Sequence, residues 1–79
     1  MSEPSRLHNE VVITALRAIV EPMTKAGASD AAVMVVLESV ILGVLVANEL
    51  LHGVSRRASV ERLESAVQAV CERLGGDNG

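Results

Sequence analysis

AAVMVVLESVILGVLVA, residues 31–47, is apolar at every position except Glu38, Ser39 and Gly43. A helix that faces water keeps one polar side, so a segment this apolar all round must be wrapped by protein or by lipid. Its many β-branched residues raise the alternative of a strand. Length and ends decide for helix: Ser29 is a good N-cap, Asp30 suits the positive end of a helix dipole, and Gly53 can stop the helix. An uninterrupted strand of that length would be unusual. The pattern predicts a helix over 30–52, roughly 30 Å long at about 1.5 Å per residue.

Working outward, the preceding segment predicts an amphipathic helix over 6–26, following Ser5. Val12, Leu16, Ile19 and Met23 recur at spacings of three and four and form a stripe expected to be buried. Arg17 and Glu21 are placed to form a surface ion pair. Pro22 removes a backbone donor and crowds the carbonyl of Ala18, so the helix should kink there or end soon after, with Gly27 as its left-handed cap. After the central segment, Val60, Leu63, Val67, Val70 and Leu74 form a heptad seam that predicts a third helix over 57–74, capped by Ser55 or Ser59. Residues 75–79 read as a disordered tail. The fold class expected is all-α: a single domain over 1–79, a three-helix protomer assembled into a homo-oligomeric bundle.

Composition narrows the function classes. The chain has 79 residues, a net charge of -3 and no Phe, Tyr or Trp. It lacks both the basic footprint of a nucleic-acid binder and the aromatic platforms on which single strands stack, so no nucleic-acid partner is expected. Cys71 is the single cysteine, which closes the route to an intrachain disulfide. A chain this short gains little from its own core, and with disulfides closed, self-association or a bound metal is the expected source of further stability. The N-terminal Met1-Ser2-Glu3-Pro4-Ser5 has no cationic stretch leading into an apolar run, so a cytoplasmic location is expected.

The choice between lipid and protein turns on details of the central run. Residues 31–51 approach the roughly 20 needed to span a bilayer, which makes a small single-span membrane protein the runner-up reading. Against it, Glu38 would sit near mid-membrane at a cost of about 2.5–3.5 kcal/mol. There is also no aromatic belt. Arg6, Arg17 and Lys25 on one side balance Arg56, Arg57, Arg62 and Arg73 on the other, giving no orientation signal. The protein reading also gives the flanking amphipathic helices a partner. Ser39, Gly43 and Ala47, four residues apart, form a small-residue lane where a second copy could approach closely, as a homodimer or tetramer through the second helix. The third helix can pack in its own chain or swap onto a neighbour.

Few residues suggest chemistry. Glu49 and His52 have the Glu-x-x-His spacing found in metal-binding helical bundles, the third reading, but a full site needs further carboxylates from facing helices. Glu38 reads as reaching solvent or pairing with a cation such as Arg17 or Arg57 of a neighbouring chain, in preference to a buried proton-transfer acid. Arg56-Arg57-Ala58-Ser59-Val60 resembles the substrate pattern of basic-directed serine kinases. If Ser59 caps the third helix, a phosphate there would be favoured by the dipole; as an exposed linker, the arginines would simply solvate a turn. Gly27-Ala28-Ser29-Asp30 resembles the Gly-Ala-Asp-Ser-Leu prosthetic-group site of acyl carrier proteins, but with serine before aspartate and Ala31 in place of leucine. No phosphopantetheine site is carried over on that order, and Ser29 is read as a cap. The expectation is a small non-catalytic oligomerisation or interaction protein, an adaptor or regulatory partner, with no cofactor and with an additional protein partner left open.

Overall fold

The computed structural model describes residues 3–75, and among them it is all-helical, with no strand. The helices are α1 (Glu3–Lys25), α2 (Asp30–His52) and α3 (Arg56–Gly75). Their ends follow from local chemistry. α1 begins three residues before the expected position, because Pro4 in the first turn loses no hydrogen bond there and Glu3 sits at the positive end of the dipole. The Glu3 carboxylate also accepts from Arg6 at 2.9 Å. Ser5 is therefore inside the helix and does not precede it.

α1 continues past Pro22 for three residues. It then stops in a Schellman turn: Ala28 N–H donates to the Met23 carbonyl and Gly27 N–H to Thr24, both at 3.0 Å, with Gly27 at φ +68°. α2 starts on Ser29, whose Oγ accepts from the Ala32 amide at 3.2 Å. It ends at Gly53, φ +66°, whose amide donates to the Glu49 carbonyl at 2.9 Å. This is the single-bond left-handed stop.

Of the two serines that could cap α3, Ser55 does so, its Oγ accepting from the Ala58 amide at 3.1 Å. Ser59 lies inside the first turns of the helix and is only 2% exposed. Both readings of Ser59, as cap and as exposed linker, are thereby corrected. The cause is the short Gly53–Val54–Ser55 turn, which starts α3 one turn earlier than a Ser59 cap would. Ser55→Ala is expected to cost about 1 kcal/mol, the usual worth of a cap. Ser59→Ala should change stability little, since the Ser59 hydroxyl makes no well-formed hydrogen bond. Urea denaturation of the two variants measures the contrast.

The chain divides into two units, Met1–Ile41 and Leu42–Gly79, with the boundary inside α2. In the first, the half-buried residues are Ile19 and Met23 of α1, then Ala28, Ala32, Val33, Val36, Leu37 and Ile41, most of them towards the Gly27 turn. The stripe expected to be buried on α1 is covered only at this end. Val12 is 41% and Leu16 55% exposed, farther from the turn at which the two helices of this unit meet. In the second unit, Leu45, Asn48 and Glu49 of α2 are half-buried, as are Val54, Ala58 and Leu63, while Ser59 is buried. The remaining seam residues of α3, Val60, Val67, Val70 and Leu74, are exposed. Among the described residues no apolar side chain is buried. Of the expected tail, Gly75 closes α3, and 76–79 lie outside the described residues.

Candidate functional site: an open helix face and a clasped corner

The periodicity of α2 separates its two sides. At about 100° per residue, the half-buried row Val33, Leu37, Ile41 and Leu45 lies roughly opposite Ser39, Gly43 and Ala47, all three of which are exposed. A side chain built on Gly43 would meet nothing within 4 Å. The small residues thus form an open furrow along α2. Its banks are apolar: Val35 is 59%, Leu42 63%, Val46 40% and Leu50 81% exposed. Glu38 is also exposed. Among the described residues it takes part in no ion pair, and neither does the expected Arg17–Glu21 couple.

At the other end of α2 the chain turns through Gly53, and the first residue of α3 reaches back. The Arg56 guanidinium grips both oxygens of Glu49, Nε to Oε2 at 2.8 Å and an Nη to Oε1 at 3.1 Å. This fork-to-fork geometry is the strong form of the arginine–carboxylate pair. The carboxylate side is sheltered, 16% exposed, whereas the arginine is 76% exposed. The Arg56 guanidinium holds the Glu49 carboxyl below its ordinary pKa, and the carboxylate in turn raises that of Arg56. Ser59 Oγ makes no well-formed hydrogen bond. It nevertheless stands near enough to the carboxylate to help hold its pKa down.

The sign of the pH effect follows. Because the folded pKa of Glu49 is lowered, its contribution is complete above the unfolded value, about 4.3, and is lost as pH falls through the folded value. Arg56 remains charged throughout. Acidification below about pH 4 is expected to loosen the α2–α3 corner, with faster amide exchange at Ala58 to Val60. Glu49→Gln should flatten that dependence, and hydrogen exchange across pH measures both.

Glu49 and His52 both fall in the last turns of α2, but the carboxylate is engaged by Arg56, not by an imidazole. Among the described residues no group of three or more His, Cys, Asp or Glu side chains is placed to hold a metal ion. The Glu49–Arg56 clasp escapes a helix-spacing search because its partners are seven residues apart, on different helices. An acid in the last turn, a three-residue link and an arginine at the next helix start are the available signals. A groove along α1, lined by Leu7, Glu10, Val11, Thr14, Ala15 and Ala18, belongs to one helix, and its polar members, Glu10 and Thr14, are not a nucleophile–base pair. Comparison with known protein families, with curated proteins and with solved structures gives no match.

Proposed function

We propose that the protein is a non-catalytic helical module that assembles with copies of itself through α2 and serves as an adaptor or regulatory partner in the cytoplasm. The carrying observation is the open furrow of Ser39, Gly43 and Ala47 between exposed apolar banks. Energetics supply the reason it should be covered. Among the described residues, eighteen large apolar side chains are 40% or more exposed. Each contributes about 1.5–3 kcal/mol when fully buried. With a little over half of each left open on average, the forgone burial is on the order of 15–30 kcal/mol, more than the roughly 5–15 kcal/mol net stability of an ordinary domain.

A second copy fits this furrow by symmetry. In an antiparallel pair centred on Gly43, the Ser39 of one copy stands opposite the Ala47 of the other and the two glycines meet. A two-fold contact of this kind is self-complementary, and small residues let the helix axes come close. Higher assembly to a tetramer would use the exposed seams of α1 and α3. Detergent-free fractionation followed by a mass measurement tests the proposal: a supernatant species of two or more chains supports it, and a stable single chain opposes it.

The second reading, a single membrane span, is favoured by one observation. α2 has 23 residues and a mean hydropathy of 2.2 over its most apolar window, long and apolar enough to cross a bilayer. Glu38, near its middle, is the residue that bilayer insertion would penalise. Recovery only in the pellet, with extraction dependent on detergent, would transfer the assignment to this reading.

A further inference from the structure

We infer that Ser59 is a gated phosphoacceptor for a basic-directed serine kinase, reachable when the α2–α3 corner opens and unable to return to its buried place once phosphorylated. Three observations meet at this corner. Arg56 and Arg57 stand three and two residues before Ser59, with apolar Val60 after it, the arrangement such kinases read through the two guanidinium groups. Ser59 is 2% exposed and its Oγ makes no well-formed hydrogen bond, only a loose approach to the Glu49 carboxylate, so the hydroxyl is held out of water with little bonding to justify it. Arg56, one of the two recognition residues, is occupied by Glu49 through two short hydrogen bonds. The same corner therefore buries the acceptor and engages one of its two recognition residues, although the Arg56 side chain itself stays 76% exposed. Arg57 is exposed and takes part in none of the ion pairs seen among the described residues.

Chemistry makes the gate one-way. The Ser59 oxygen attacks the γ-phosphorus of ATP, an Oγ–P bond forms, the bond to the β–γ bridging oxygen breaks, ADP departs and the hydroxyl proton passes to the kinase base. The product carries about -1.5 to -2 charges at pH 7. Returned to its former place it would lie beside the Glu49 carboxylate, desolvated and facing a like charge, which opposes reburial. Arg56 gains a stronger partner in the phosphate than in Glu49. Only the opening turns of α3, which carry Arg56 to Val60, have to unwind for the kinase to read them; the rest of the helix keeps its hydrogen bonds while its seating on the last turns of α2 is lost.

The test uses the full chain, ATP and the purified catalytic subunit of a basic-directed serine kinase, with phosphate incorporation read by mass spectrometry. The expected result is slow, single-site modification of the native protein that vanishes in Ser59→Ala. Glu49→Ala, which opens the clasp, should accelerate it by about threefold or more, the range set by losing one partly exposed ion pair. Arg57→Ala changes only an exposed side chain, so it tests recognition without disturbing the fold; it should abolish modification in either background. After phosphorylation, amides of Ala58 to Val60 should exchange faster, while circular dichroism retains helix. Modification of native and Glu49→Ala proteins at the same rate would overturn the gate. Absence of modification at Ser59 in Glu49→Ala, or modification indifferent to Arg57, would overturn the acceptor assignment.

Discussion

Gly43→Leu is expected to convert the assembled protein to single chains while making α2 itself a better helix. The two effects come from different places. In the single chain nothing lies within 4 Å of a side-chain carbon at position 43, so leucine is accommodated without strain. It also removes the helix-interior glycine penalty of about 0.8–1.0 kcal/mol. At a close helix crossing the same side chain overfills the contact, typically at about 1–3 kcal/mol, and it does so in both copies of a two-fold pair. Gly43→Ala gives a graded version. Mass by sedimentation and melting temperature at several protein concentrations separate the terms: lower mass and a concentration-independent melt are expected for Gly43→Leu. An unchanged oligomer would remove Ser39, Gly43 and Ala47 from the interface.

Val46→Glu should have the larger effect on association. Val46 lies on the bank of the furrow, 40% exposed in the single chain, so a carboxylate there is solvated as long as the chain stands alone. In an assembled α2 pair it would be buried without a partner, a situation that costs about 3–5 kcal/mol. That corresponds to a dissociation constant raised by about 10²- to 10⁴-fold. Glu61→Gln, on an exposed face of α3, should stay within about 0.5 kcal/mol and serves as the control. Sedimentation of both variants over a hundredfold dilution range gives the comparison.

The features legible in the sequence are those set by local chemistry. Gly27 and Gly53 take the left-handed conformation that non-glycine residues avoid, and Ser29 sits where its hydroxyl caps an apolar run, so α2 can be delimited from residue type alone. The start of α1 is harder, because proline both breaks helices and suits their first turn, and only the backbone distinguishes the roles. Periodicity marks a face that needs cover but does not say where cover is found. Val12 and Leu16 look as core-like in the sequence as Ile19 and Met23, yet only the latter pair lies close to the Gly27 turn and is half-buried.

The same limit applies to the site. Ser39, Gly43 and Ala47 are visible as a lane because spacing within one helix is fixed by its pitch. Glu49 and Arg56 meet because a three-residue link folds two helix ends together, a relation that helix spacing does not encode. Glu49 therefore reads first as a partner for His52, at the familiar i, i+3 separation, and only the turn geometry gives it to Arg56. Ser59 is ambiguous for a related reason. Two serines four residues apart can each cap the same helix, and the choice between them decides whether a hydroxyl is a solvent-facing cap or is buried against the neighbouring helix.

Sedimentation equilibrium of the purified native chain at micromolar concentration, after detergent-free extraction, tests the central claim most directly. The account predicts a folded helical species with a mass that is an integer multiple, two or greater, of the 8.3 kDa chain, dissociating on dilution. A folded, cooperatively melting species of 8.3 kDa would contradict it, because the exposed apolar face of α2 would then need no partner.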